Sequence, residues 1–155
     1  MGKIIIEGAN GTGKSTLAHL LVEFTGYKLF HSVKPMDEFL AFKEDSFRIL
    51  GCPDNLILDR CQAISGTIYN GGCDGYEKDI QAYDEAPHVT IIHCIGNGVH
   101  DTNKPHYDDA LRAKCFTEQD AIKERYAAMF GTIKHIEYDF YLANSLKNVY
   151  KQIKV

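Results

Sequence analysis

Short apolar runs alternate along the chain with longer segments in which apolar residues recur every three or four positions. The runs are typical of buried parallel strands, and the longer segments are typical of amphipathic helices. The predicted strands are Lys3–Glu7, Tyr27–His31, Asn55–Asp59, Val89–Cys94 and Thr132–Tyr138. The predicted helices are Lys14–Phe24, Met36–Leu50, Cys61–Tyr69, Tyr76–Glu85, Thr117–Met129 and Leu142–Ile153. This alternation predicts a three-layer α/β fold, with a five-stranded parallel sheet flanked by helices.

One loop in this pattern carries a phosphate-binding motif. Residues 8–15, Gly-Ala-Asn-Gly-Thr-Gly-Lys-Ser, fit G-x-x-x-x-G-K-[ST], the P-loop, and lie between a predicted strand and a predicted helix. Glycines let backbone N–H groups face a phosphate, and the helix N-terminus adds partial positive charge. Lys14 is predicted to bridge the β- and γ-phosphates of ATP, and the Ser15 hydroxyl to hold Mg²⁺. The candidate nucleotide-binding residues are Gly8, Asn10, Gly11, Thr12, Gly13, Lys14, Ser15 and Thr16, with Arg112 further along the chain.

A second polar feature ends the predicted strand Asn55–Asp59. Asp59 occupies the usual position of a carboxylate near the Mg²⁺ of a P-loop enzyme. Arg60 follows directly, where its guanidinium could clamp a phosphate or a transferring phosphoryl group. The alternatives are that Asp59 caps the next helix and that Arg60 forms a surface ion pair. The candidate catalytic residues are Lys14, Asp59 and Arg60, and the candidate metal ligands are Ser15 and Asp59.

Together these motifs resemble those of thymidylate kinases, and in particular short thymidylate-kinase-like proteins of bacteriophages. Residues 7–16 are similar to the family's P-loop, and Asp59-Arg60 to the Asp-Arg pair of its second signature. In that signature a helix follows whose polar residues face the acceptor, here Ser65 and Tyr69. Residues 124–126 and 130 are similar to the helix after the family's lid. The resemblance implies a P-loop kinase fold, ATP and Mg²⁺ as cofactors, and phosphate contacts from Lys14 and Arg60.

The chain departs from full-length thymidylate kinases in two regions. The stretch between Thr16 and Asp59 is shorter than the acceptor-binding region that the resemblance implies. The predicted lid, about residues 96–118, is reduced and contains one arginine, Arg112. A lid normally supplies cations that close over the nucleotide phosphates. These departures leave the identity of the acceptor open.

Two loop residues are further candidates for binding the acceptor. His31 ends the second predicted strand, so it could face the acceptor. Asp37 could accept a proton from a hydroxyl acceptor, or it could cap the predicted helix Met36–Leu50. The candidate substrate-binding residues are His31, Asp37, Arg60, Ser65 and Tyr69. Residues 138–140 end the fifth strand in a loop that, by resemblance, contacts the adenine.

Composition and charge say more about domain organisation and cellular location than about the reaction. The 155 residues contain no repeat or linker, so a single domain spanning residues 1–155 is expected. A net charge of −4 provides no global basic field for nucleic acid. The apolar runs are too short for a membrane span, and the early first strand leaves no room for a signal peptide. Five cysteines without C-x-x-C spacing suggest reduced thiols in a cytoplasm.

Three functional hypotheses follow from these observations. The first is a kinase that transfers the γ-phosphoryl group of ATP to a deoxynucleoside monophosphate such as dTMP. The second is a kinase of a hydroxyl acceptor, either a deoxynucleoside or 5-hydroxymethyluracil within phage DNA. The third is a P-loop nucleotide-binding module without acceptor chemistry. The expected partner is a small-molecule nucleotide, with DNA as acceptor and a homodimer left open.

Overall fold

The computed structural model describes residues 2–9, 11–31, 50, 55–71, 75–96 and 109–153, with side chains at all of these except 70 and 109–119. Five strands form one sheet in the order β2-β3-β1-β4-β5, and every adjacent pair is parallel. They are β1 (Lys3–Glu7), β2 (Lys28–His31), β3 (Leu56–Asp59), β4 (Val89–Cys94) and β5 (Ile136–Tyr138). The predicted five-stranded parallel sheet is confirmed.

Helices cover both faces of the sheet and complete three layers. They are α1 (Lys14–Thr25), α2 (Gln62–Asn70), α3 (Tyr76–Glu85), α4 (Asp109–Phe130) and α5 (Ser145–Gln152). One face of the sheet packs against α2, α3 and α4, and the other packs against α1 and α5. In β1, Ile5 lies on the first side and Ile4 and Ile6 lie on the second. No helix in the described part of the chain is long and apolar enough to cross a membrane.

The predicted boundaries differ from the observed ones by more than one residue at three elements. Helix α4 begins at Asp109, well before the predicted start at Thr117, so part of the segment predicted as a lid is helical. Strand β5 begins at Ile136 because the residues after α4 form a turn, in which the Thr132 N–H donates to the Met129 carbonyl at 3.1 Å. Helix α5 begins at Ser145, three residues after the predicted start. The predicted helix Met36–Leu50 lies outside the described residues except for its last residue.

Helices α2 and α3 pack closely at Gly66. A Cβ atom at this position would lie 2.6 Å from Cε2 of Tyr76, the first residue of α3. The Tyr76 side chain is buried, and its hydroxyl accepts a hydrogen bond from Gln62 Nε2 at 3.3 Å. This contact fixes the position of α2, the helix that carries Ser65 and Tyr69.

A histidine is buried between β4 and α4. The His93 ring stacks on Phe130, with ring centroids 4.3 Å apart and planes 6° from parallel. Only 7% of the surface of His93 is exposed to solvent. Burial, with a smaller contribution from His135 nearby, lowers the pKa of His93 to about 4. The folded protein therefore holds His93 neutral at pH values at which an unfolded chain would protonate it.

Replacing His93 by Phe should reduce the loss of stability in acid. Below pH 6.5 His93 becomes protonated in the unfolded chain, whereas in the folded protein it stays neutral down to about pH 4. Protonation therefore favours the unfolded chain, and the stability of the fold decreases as the pH drops through this window. We expect His93 to account for about 2 kcal/mol of the wild-type loss between pH 7 and pH 5, which the Phe variant should lack. Chemical denaturation at both pH values measures the difference. The matched control is His19→Phe, on an exposed position of α1, and equal losses in wild type and H93F would contradict the assignment.

Candidate active site

The P-loop connects β1 to α1 at the carboxyl edge of the sheet. Gly8 is required by close approach, because a Cβ atom there would lie 2.4 Å from the carbonyl oxygen of Cys94 at the end of β4. Gly13 caps α1 with a left-handed φ of 84°, which turns the loop into the helix. The Thr12 hydroxyl donates to the Ala9 carbonyl at 2.7 Å. The backbone before α1 is thus folded tightly against β4.

Lys14 lies inside this loop. Its Nζ donates to the Ala9 carbonyl at 2.7 Å, and the residue is 8% exposed. Burial and then the positive charge of Arg60 lower the pKa of the Lys14 ammonium to about 8, while Asp59 and Glu7 are among the groups that oppose the shift. At neutral pH most of the population remains charged, so Lys14 can contact an anionic ligand.

Three neighbouring elements bring Ser15, Asp59 and His31 together. The Ser15 hydroxyl donates to Asp59 Oδ2 at 3.3 Å, and His31 Nδ1 lies 3.0 Å from the same oxygen. His31 pairs with Asp59 in the parallel register of β2 and β3, so both side chains emerge at the same edge of the sheet. The Asp59 side chain is 10% exposed, whereas that of His31 is 58% exposed.

The hydroxyl of Ser15 and the carboxylate of Asp59 fit the ligand chemistry of Mg²⁺. Both are hard oxygen donors, and Mg²⁺ in phosphate-binding sites usually takes only one or two protein ligands, keeping water and phosphate oxygens for the rest. The contact between Ser15 Oγ and Asp59 Oδ2 brings two such ligands together beside the P-loop. Among the described residues, no group of three or more His, Cys, Asp or Glu side chains is arranged to hold a metal ion.

Arg60 follows Asp59 in a left-handed conformation, with φ 73°, the one positive φ at a non-glycine residue within the described ranges. Its Nη1 donates to Tyr126 at 3.1 Å and to Ser65 at 3.4 Å. Its Nη2 donates to Tyr69 at 3.4 Å, and the guanidinium lies 5.2 Å from the centre of that ring. The structure therefore places two predicted acceptor-side residues, Ser65 and Tyr69, against Arg60.

Glu7 stands at the centre of these contacts, and sequence reasoning did not select it. Its carboxylate is completely buried and accepts hydrogen bonds from the Cys61 N–H at 2.8 Å and the Tyr126 hydroxyl at 2.8 Å. Ser65 donates to its two oxygens at 2.9 and 3.0 Å, and Arg60 Nη1 lies 3.8 Å away. Burial raises the pKa of Glu7, and Arg60 and the hydrogen bonds partly offset that effect.

A pocket of about 270 Å³ opens between the P-loop, the end of β4 and helix α4. It is lined by Ala9, His93, Cys94, Ile95, Lys123, Glu124, Tyr126 and Ala127. Lys123 Nζ donates to the Gly96 carbonyl at 3.3 Å, which ties α4 to the end of β4. Tyr126 belongs both to this pocket and to the contacts of Glu7, so the pocket adjoins Arg60.

The other predicted site residues either lie apart from the contacts of Arg60 and Glu7 or are outside the residues that the structure describes. Asn10 and Asp37 are outside the described residues, and Arg112 lies in α4 with its side chain undescribed. Thr16 lies exposed in the first turn of α1. Phe140, in the loop after β5, contacts the P-loop, because a Cβ atom on Gly13 would lie 3.0 Å from its ring.

The similarity of this chain to known proteins is one of structure. No protein-family model matches the sequence, and no curated protein sequence matches it. Deoxyadenosine kinase from M. mycoides aligns over 96% of this chain and 94% of its own, with a TM-score of 0.56 and 16% identity. The YorR protein of Bacillus subtilis aligns over 96% and 91%, with a TM-score of 0.61 and 18% identity. A gluconokinase from Sinorhizobium meliloti aligns over 97% and 87%, with a TM-score of 0.53 and 13% identity. The chain shares the fold of these proteins.

The left-handed backbone of Arg60 predicts an unusual order of stability between two variants. Arg60→Gly and Arg60→Ala remove the same guanidinium, but only glycine adopts a φ near 73° without a Cβ clash. After allowing for the greater freedom of unfolded glycine, we expect the Gly variant to be more stable by about 0.5–1 kcal/mol. Denaturant titration measures both variants.

The control is the same pair of substitutions at Lys78, an exposed position in α3. There the order should reverse, with Lys78→Gly less stable than Lys78→Ala by about 1 kcal/mol. An Arg60→Ala variant as stable as Arg60→Gly would show that the backbone relaxes at this position.

Proposed function

We propose that this protein is an ATP-dependent P-loop kinase. The observation that carries the proposal is the contact of Ser15 with Asp59 at 3.3 Å, which joins the phosphate-binding loop to a strand-end carboxylate. Lys14 precedes Ser15 in the loop, and Arg60 follows Asp59. A loop that binds phosphates, oxygen ligands for Mg²⁺ and a guanidinium are the parts that phosphoryl transfer requires. The shared fold of a deoxyadenosine kinase and a gluconokinase supports the same class of reaction.

We propose a role for each of these residues from its position. Lys14 would exchange its bond to the Ala9 carbonyl for the phosphates of ATP. Ser15 and Asp59 would hold Mg²⁺, which neutralises phosphate charge when bound. Arg60 would contact oxygens of the acceptor or of the transferring phosphoryl group, where its planar fork gives bidentate hydrogen bonds. Catalysis then comes from positioning and from charge stabilisation rather than from a covalent intermediate.

We further propose a deoxynucleoside monophosphate, such as dTMP, as the acceptor. A phosphate acceptor is already ionised and needs no general base, but it needs cations and hydrogen-bond donors. Arg60 supplies the cation, and the Tyr69 hydroxyl, which accepts from Arg60 Nη2 at 3.4 Å, can donate its own O–H to the acceptor phosphate. The resemblance of Asp59-Arg60 and the following helix to thymidylate kinases supports the same choice.

The pairing of His31 with Asp59 favours a hydroxyl acceptor as the second candidate. His31 Nδ1 lies 3.0 Å from Asp59 Oδ2, and the largely exposed imidazole is available at the rim of the site. Such a pair could take the proton of a hydroxyl as it attacks a phosphoryl group. A deoxynucleoside, or a hydroxymethylated base in DNA, provides this kind of acceptor, and one structural neighbour is named as a deoxyadenosine kinase.

Replacing Lys14 by Ala should abolish phosphoryl transfer while the fold persists. Loss of a cation at the phosphates should lower turnover by about 10²-fold or more. Release of label from γ-labelled ATP measures the rate, and circular dichroism checks the fold. Lys147→Ala, an exposed lysine in α5, is the matched control and should retain full turnover. Near-normal turnover in K14A would refute the role given to the P-loop.

The acceptor can be identified by the destination of the label and by its response to salt. We expect label from γ-labelled ATP in dTMP, dUMP or dCMP, with a shallow dependence on salt because one or two cations bind the acceptor phosphate. A DNA acceptor requires several phosphates to be neutralised, so its apparent affinity should fall steeply as salt rises. The assay includes thymidine, deoxycytidine, deoxyadenosine and DNA containing hydroxymethyluracil.

Each outcome of that assay selects one hypothesis. Label in a deoxynucleoside or in the modified DNA, with none in the monophosphates, would favour the hydroxyl acceptor and a role for His31. A His31→Gln variant should then lose turnover, whereas it should retain turnover with a monophosphate. Label in no acceptor, with ATP still bound, would favour a nucleotide-binding module.

A further inference from the structure

Glu7 cannot itself touch a substrate. Its side chain has no solvent exposure, and both carboxylate oxygens accept hydrogen bonds from within the protein. A buried carboxylate is costly unless its surroundings supply donors and positive charge. Here the donors come from Cys61 and Ser65 at the start of α2 and from Tyr126 in α4, and the positive charge comes from Arg60. Whatever Glu7 does, it does through these neighbours.

The first of these contacts constrains the backbone of Arg60. Its N–H donates to the Ile6 carbonyl at 2.9 Å, and the next N–H, of Cys61, donates to Glu7 Oε1 at 2.8 Å. Two consecutive residues of β1 therefore hold the peptide groups on either side of Arg60. A left-handed backbone at a non-glycine residue costs free energy and persists only when its surroundings enforce it. The two hydrogen bonds supply that enforcement.

The other contacts constrain the side chain of Arg60. The hydroxyls of Tyr126 and Ser65 each accept from Nη1 and each donate to the Glu7 carboxylate. Each hydroxyl thus has its donor and acceptor roles assigned, and the guanidinium is held in the same orientation by both. The ion pair at 3.8 Å acts in the same direction. Because the carboxylate only accepts, it gives this network a single consistent polarity.

We propose that Glu7 is a positioning residue which fixes both the backbone and the guanidinium of Arg60 for phosphoryl transfer. Glu7 ends β1 and directly precedes Gly8, so the residue that anchors Arg60 also joins β1 to the phosphate-binding loop. The end of β1 therefore sets the distance between the phosphate-binding loop and Arg60. The catalytic consequence rests on the kinase function proposed above, whereas the anchoring of Arg60 does not.

The kinetic test compares Glu7→Gln and Tyr126→Phe with wild type, using γ-labelled ATP and whichever acceptor the assay above identifies. A guanidinium displaced by about 1 Å can lower the rate by about 10²-fold. We expect a loss of kcat of about 10²-fold in E7Q and about 10-fold in Y126F, with little change in the KM for ATP. In the Arg60→Lys background, Glu7→Gln should cause less than about a 3-fold further loss, because both changes remove the same interaction.

The matched control is Tyr83→Phe. Tyr83 is also fully buried, and its hydroxyl donates to Asp79 at 3.0 Å within α3, outside the contacts of Glu7. Y83F should keep the wild-type kcat. Y126F keeps the ring that packs on His93, so it remains informative if E7Q does not fold. A Y126F variant with the same kcat as Y83F, or full additivity of Glu7→Gln with Arg60→Lys, would overturn the proposal.

A second readout does not depend on turnover. Held through both Nη atoms, the Arg60 guanidinium should give separate ¹H–¹⁵N signals for its two NH₂ groups, assigned by their loss in Arg60→Lys. In Y126F and E7Q these signals should merge or broaden as the group rotates, and in Y83F they should stay separate. Unchanged signals in both test variants would overturn the positioning role. If the wild-type chain phosphorylates no acceptor, the kinase proposal fails, and the spectra alone still decide whether Glu7 holds Arg60.

Discussion

The central strand β1 is completely buried, and its burial determines which groups must surround the site. All five of its residues are buried, between β3 and β4 and beneath helices on both faces. The chain leaves this strand at the carboxyl edge, where Gly8 allows the P-loop to lie directly on the carbonyl of Cys94. A strand buried in this way cannot leave a terminal carboxylate unsatisfied. The Glu7 carboxyl group is therefore held by the start of α2, the middle of α4 and Arg60.

The fold was largely predictable because its strands have simple patterns. β1, β3 and β4 are built around short apolar stretches that are buried, and glycine and polar residues lie at or near their ends, so their predicted limits agree with the structure to within one residue. The start of α4 was missed because polar and apolar residues are poorly segregated around this helix. The start of β5 was missed because Thr132 suits a strand by composition, whereas its N–H and hydroxyl both bond back to Met129.

The candidate site was predictable only where its residues are close in sequence. The motif from Gly8 to Ser15 and the pair Asp59-Arg60 can each be identified from local spacing, although the roles assigned to them stay predictions. The contact of Tyr126 with Glu7 spans 119 positions. The spacing of apolar residues along the chain does not indicate which helix face packs against which strand end. One signal was available, because an acidic residue that directly follows a buried apolar stretch requires buried partners. The sequence does not indicate which residues those partners are.

Gly66 shows that intolerance to substitution and chemical participation are separate properties. It is not one of the candidate site residues, yet any side chain there would meet the ring of Tyr76 and displace α2, the helix whose Ser65 and Tyr69 contact Arg60. In a saturation mutagenesis screen scored on activity, position 66 would therefore be as depleted as a residue that binds substrate. A map of the site drawn from such a screen would extend into the layer between two helices, well beyond the region where the reaction occurs.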